Sequence, residues 1–205
     1  MDTSDQKQIE RRVFTSFFQA GIIEAFTGIF LLQLGFPALF SRSGFGDLES
    51  ALLTLPIAVA LLIAVFLVRK SVVAPRLGHV KFLPERRRRL SKLMIVPILT
   101  LIAGAIVGYI FAENAPLRHA LIGQIPFILV PIIVFSAAAY FLDMKRLYVY
   151  GAIVGLVFPL GKYLETLIVS RNTLPAIILF AAFAFLGIAT VFLVAFLRKY
   201  GEPRV

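Results

Sequence analysis

Glu24 lies within a long apolar run and is the acid whose position most needs a chemical explanation. It follows Gly21 by three positions and precedes Gly28 by four. Gly35 lies seven further on, so all four residues share one stripe of a helix. Small residues on such a stripe let a neighbouring helix approach closely, which points Glu24 into a bundle. An ionisable group inside a membrane costs at least ~2.5 kcal/mol on insertion scales. Two readings stand side by side. One is a proton-coupled or cation-binding carboxyl. The other is an acid hydrogen-bonded to a neighbouring helix, or seated shallower than its position in the run suggests.

A second stripe holds Gly151, Gly155, Phe158, Lys162 and Glu165, spaced four, three, four and three. That spacing predicts a local Lys162–Glu165 pair. Lys162 stands about 15 residues into its apolar run, roughly 22 Å along a helix, and so near the outer face. The pair either lines an outward-facing cavity or is a lysine snorkelling to the headgroups beside a solvated acid. A Glu24–Lys162 ion pair would join residues of different expected depth. Gln124, just before Pro126 and Pro131, is the fourth intramembrane polar candidate; the two prolines predict a kinked helix around it.

Basic residues form the third constellation. Between 69 and 92 stand Arg69, Lys70, Arg76, Lys81, Arg86, Arg87, Arg88, Arg89 and Lys92. Clusters of this kind beside a membrane helix bind anionic lipid headgroups; Arg76, Lys81 and Arg86 to Arg89 are the candidates. The plainer alternative is that they only orient the chain. Within this segment Ala74-Pro75-Arg76-Leu77-Gly78 has turn chemistry. Pro84 and Glu85 resemble the opening of a helix.

No catalytic set accompanies these groups. His79 and His119 fall on opposite sides of the expected membrane, and no carboxylate cluster has metal-ligand spacing. Ser136 lacks a Gly-x-Ser-x-Gly context, and no Gly-rich phosphate loop precedes a helix. The absence of Cys excludes disulfides and thiolate chemistry. The sequence therefore assigns no catalytic residue, no metal and no cofactor.

The elements that position these residues follow from composition. The chain has 205 residues, 60% hydrophobic and 16% charged, against about 25% charged in soluble domains. Spans of about 20 apolar residues cross a bilayer core of about 30 Å. Six such segments occur, at about 14–40, 51–68, 93–111, 120–142, 147–169 and 174–197, after a short cytoplasmic segment 1–13 and before a tail 198–205. The expected fold is an all-α polytopic membrane bundle, since strands would need an alternation that is absent. The net charge of +10 would suggest nucleic acid in a soluble protein. Here 17 of the 21 basic residues fall on one side of the spans, three on the other and Lys162 within one. That partition places both termini in the cytoplasm, in a cell (inner or plasma) membrane. The expected partners are the lipid bilayer and its anionic headgroups, not nucleic acid; a second copy or another membrane subunit stands as a further partner.

A repeat is visible as well. Gly104-Ala105-Ile106-Val107-Gly108 is followed by Phe111, and Gly151-Ala152-Ile153-Val154-Gly155 by Phe158. Even-numbered spans end alike before Arg69-Lys70, Lys145-Arg146 and Arg198-Lys199. Three tandem helical hairpins open to the cytoplasm would produce this pattern.

Two segments together carry a resemblance. Ala20-Gly21-Ile22-Ile23-Glu24, with Gly28 and Leu31-Leu32, follows a basic stretch. Pro75-Arg76-Leu77-Gly78-His79-Val80-Lys81-Phe82 follows the second span. Over about the first 90 residues this is similar to an uncharacterised family of small prokaryotic six-span integral membrane proteins with a Pro-Arg-x-Gly-x-Val-Lys-Phe first cytoplasmic loop. In that family an aromatic commonly stands at the position of His79, and an acid often at that of Ala20. The resemblance implies an ordered loop and no particular activity. The expectation is a non-enzymatic membrane protein, serving small-solute or ion permeation or acting as a subunit of a membrane complex. The alternative is an anionic-lipid-binding or lipid-sensing protein using loop 69–92, and a membrane-embedded lipid enzyme comes third.

Overall fold

The computed structural model describes residues 20–77, 125–168 and 170–201. These residues are helical and contain no strand. In chain order the elements are α1 (Ile22–Arg42), α2 (Asp47–Val68), a π-helical turn (Arg69–Val73), α3 (Ala74–Leu77), α4 (Ile125–Leu142), α5 (Arg146–Ile168) and α6 (Thr173–Tyr200). Among the described residues, four helices are long and apolar enough to cross a membrane: Ile22–Arg42, Leu48–Arg76, Arg146–Ile168 and Thr173–Tyr200. Large apolar side chains such as Phe30, Leu48, Leu167 and Phe180 are exposed on them, a surface suited to hydrocarbon rather than water. The third expected span, the histidines His79 and His119, and the 104–108 copy of the repeat lie outside the described residues.

The chain divides into two compact units, 1–81 with 170–205, and 82–169. In the first, α1 is packed on one side by α6 and on another by α2. The connection from α1 to α2 is short. Gly44 takes φ 105, a left-handed geometry that glycine adopts without a Cβ clash. The Gly46 N–H then donates to Glu49 Oε2 at 3.2 Å, capping α2 from its first turn. Such a brief loop makes the two helices antiparallel neighbours. Ala20, Ile22, Val73 and Phe196 form a buried cluster at one end of the unit, flanked by Val65, Val68, Leu193 and Leu197.

In the second unit, α4 and α5 form a hairpin through Asp143, Met144 and Lys145. Asp143 takes φ 56, and the Met144 N–H returns to the Ala139 carbonyl at 3.0 Å. This six-to-one bond closes the end of α4 in the manner of a Schellman cap. Gly151 and Gly155 are where the helices meet. A Cβ at Gly155 would stand 2.9 Å from the Ile128 carbonyl oxygen, and one at Gly151 2.8 Å from Phe135 Cβ. The repeated pentapeptide thus serves helix packing in this unit.

The first span was expected from about residue 14; residues 14–19 lie outside the described residues, and among the described ones Ala20 and Gly21 form a turn before the helix that opens at Ile22. Gly21 at φ 81 lies in left-handed space, outside a regular right-handed helix. The segment 69–77 was expected as loop, and 74–78 as a turn, but it continues α2. Pro75 cannot donate to the carbonyl four residues back, and its ring crowds that carbonyl. The preceding π turn changes the register, with the Ala74 N–H bonding the Arg69 carbonyl, and the helix goes on.

Candidate functional site

The backbone at Gly21 sets the site. Its φ of 81 admits glycine readily, and a Cβ there would collide with the Ala189 carbonyl oxygen. Three residues later, in the first turn of α1, Glu24 is fully buried at 0% exposure. The first turn carries the positive end of the helix dipole, which offsets part of the cost of holding a carboxyl there.

Glu24 sits within a heptad-spaced seam. Gly21, Glu24, Gly28, Leu31 and Gly35 are all buried on α1. Ile178, Ala182, Phe185, Ala189 and Phe196 are buried on α6. Gly21 faces Ala189, Gly28 faces Ala182 and Leu186, and Gly35 faces Ile178 and Leu179, so the helices run antiparallel. Spacing of three and four residues is the pattern of knobs-into-holes packing. Glycines let the backbones close up, which matters because hydrocarbon offers no hydrophobic drive for helix association.

Depth follows from the same contacts. Ala189 stands eleven residues before the end of α6, about 16 Å along the axis at 1.5 Å per residue. Glu24 is therefore in the first turn of its own helix and also beside the middle of α6.

The other polar groups of this unit use a different face. Gln33 Nε2 donates to Thr54 Oγ1 at 3.3 Å, joining α1 to α2. The Thr54 hydroxyl is shared between the Ser50 and Ala51 carbonyls at 3.2 and 3.1 Å. Gln33 is nine residues after Glu24, half a turn around the helix. The two polar features therefore sit on opposite sides of α1. Thr27 is also buried, its hydroxyl donating to the Ile23 carbonyl at 2.9 Å. Sequence reasoning missed Gln33, Ser50 and Thr54. The available signal was the run of small residues Ser50, Thr54 and Ala58 at intervals of four.

In the second unit Lys162 Nζ lies 3.4 Å from Glu165 Oε2, with side chains 44% and 19% exposed. The expected local pair is present. One turn earlier, Phe158 stacks on Phe127 with centroids 4.1 Å apart and planes 13° from parallel. Gln124 lies outside the described residues.

Arg76 is the one basic-segment lipid candidate among the described residues. Its Nε donates to the Gly201 carbonyl at 2.8 Å and its Nη1 to the Val72 carbonyl at 2.9 Å. It ties the end of the α2 extension to the end of α6. Lys81 and Arg86 to Arg89 lie outside the described residues.

No family model matches the chain, and neither a curated protein nor a solved structure is significantly similar to it.

Proposed function

We propose that the chain is a non-enzymatic six-span protein of the inner or plasma membrane, built as three tandem hairpins with both termini cytoplasmic. In this reading it serves small-solute or ion permeation, with Glu24 as the working carboxyl. The observation that carries it is the complete burial of Glu24 where α1 opens beside the middle of α6. Ionisable residues kept inside a membrane mark ion and proton pathways. Helices that open partway through the bilayer are where transporters place such sites. The lopsided distribution of basic residues supports the orientation.

The test is flux into proteoliposomes under an imposed proton or potassium gradient. Wild-type protein is expected to give pH-dependent flux that Glu24→Gln abolishes. Flux unchanged in Glu24→Gln removes Glu24 from the mechanism. No flux from wild-type protein removes permeation and leaves the role of a complex subunit.

Anionic-lipid binding or sensing through segment 69–92 is the second reading. It is favoured by the nine basic residues that the segment concentrates. The lipid titration described next includes the variant of Arg86 to Arg89 that tests it.

A further inference from the structure

We propose that the face of α6 turned away from α1 holds one anionic phospholipid. An acyl chain lies along a groove from Arg198 to Gly187, and the phosphate rests against Arg198 and Lys199. This site is drawn from α6 alone and does not depend on permeation through Glu24.

The groove is broadly open to the outside, with a volume of about 590 Å³, and its described lining is Thr190, Val191, Val194, Ala195, Arg198 and Lys199. All six are exposed. Gly187, Val191, Val194 and Arg198 are spaced four, three and four, one stripe along the helix. The stripe lies opposite Ala182, Phe185, Ala189 and Phe196, which are buried in the seam with α1 or in the end cluster.

The shape fits a lipid tail. At Gly187, one turn before Val191 on the same stripe, a Cβ would meet no described residue within 4 Å, which gives a tail room to continue. Beyond it, Phe183 and Phe180 are large and exposed at 56% and 77%. Arg198 to Gly187 is eleven residues, about 16 Å, and one leaflet of a hydrocarbon core of about 30 Å is about 15 Å deep. The Thr190 hydroxyl donates to the Leu186 carbonyl at 2.9 Å, which leaves that wall apolar in character.

The charge fits a headgroup. Both cations stand at one end only. Lys199 Nζ lies 5.5 Å from the Tyr200 ring centroid, a contact that steadies it at the lip of the groove. The described lining residues include no acid. A second protein helix would call for a surface matched along its whole length; a tail with a single anionic end matches this one.

The experiment titrates delipidated protein in neutral detergent with phosphatidylglycerol and phosphatidylcholine of identical chains, read by native mass spectrometry. Wild-type protein is expected to retain one phosphatidylglycerol in preference to phosphatidylcholine. The double variant Arg198→Gln/Lys199→Gln should lose about tenfold in phosphatidylglycerol affinity, with phosphatidylcholine unchanged. Gly187→Leu, which fills the groove, should weaken phosphatidylglycerol by a similar factor. It replaces a glycine at an open helical position with a better helix former, so it remains informative if the charge variant fails to fold. Wild-type affinity in both variants overturns the proposal. So does loss of the lipid only on Arg86→Gln, Arg87→Gln, Arg88→Gln and Arg89→Gln together, which assigns it to the basic segment. Full displacement by glycerol phosphate also overturns it, since that requires no tail groove. A change of oligomeric state in Gly187→Leu with lipid binding intact assigns the face to a second copy.

Discussion

At Gly28 the missing side chain is what lets two helices touch. A Cβ there would stand 2.7 Å from Leu186 Cγ and 3.0 Å from the Ala182 carbonyl oxygen. Leu186 can change rotamer; the carbonyl is fixed in the α6 ladder. Gly28→Ala is therefore expected to destabilise the fold by about 1–3 kcal/mol, the range for overpacking a close contact. Gly187 on the same partner helix has open space around it, and Gly187→Ala should be neutral or stabilising by up to about 1 kcal/mol. Unfolding midpoints in mixed micelles would compare them, and equal shifts would show that the α1–α6 seam does not govern stability. The glycine stripe itself was legible from spacing. Its partner was not, because any helix presenting small residues could fill that groove. The Lys162–Glu165 pair was legible for a simpler reason: three residues along one helix fix the distance whatever the tertiary structure.

At the scale of elements, Arg76 matters more as a fastener than as a charge. One guanidinium spans the Val72 carbonyl in the π turn and the Gly201 carbonyl just past the end of α6. Arg76→Ala is expected to cost about 1–2 kcal/mol. It should also raise hydrogen exchange in the last turn of α6, measured by mass spectrometry. Arg76→Lys should recover little, since an ammonium lacks the fork that reaches both carbonyls. Unchanged exchange in Arg76→Ala would show that the tie is dispensable. This element also marks where sequence reading stopped. Arg69 and Lys70 signalled the end of an apolar run, and Pro75 signalled a turn. Neither polarity nor proline records that a π turn can carry the helix past both. Similarly, apolar residues on both sides of Gly21 gave no hint that its φ is positive.

For the whole molecule the decisive question is the number of crossings. The chain has no cysteine, so single cysteines can report sidedness without background. Ser43 ends α1, Asn172 precedes α6, and Lys145 lies in the α4–α5 turn. An impermeant maleimide applied outside intact cells is expected to label Ser43→Cys and Asn172→Cys. Lys145→Cys should react only after permeabilisation. Labelling of Ser43→Cys and Asn172→Cys from different sides would overturn the six-span count, and the reverse pattern throughout would invert the orientation. The class of protein was legible because burial in hydrocarbon restricts composition over long runs. The packing partners were not, because helices far apart in sequence can carry equally apolar faces.

The seam between α1 and α6 has a consequence for biosynthesis. Gly28 emerges from the ribosome roughly 150 residues before Ala182. At about 5–20 residues per second that is a delay of roughly 8–30 s. Throughout it, the face of α1 bearing Glu24 has no α6 to cover it. Helix α1 must wait for α6, so for that interval Glu24 lacks the neighbour that buries it in the folded protein. Premature termination anywhere before residue 178 would leave that carboxyl side uncovered by its native partner, giving quality-control proteases a specific feature by which to recognise an unfinished chain.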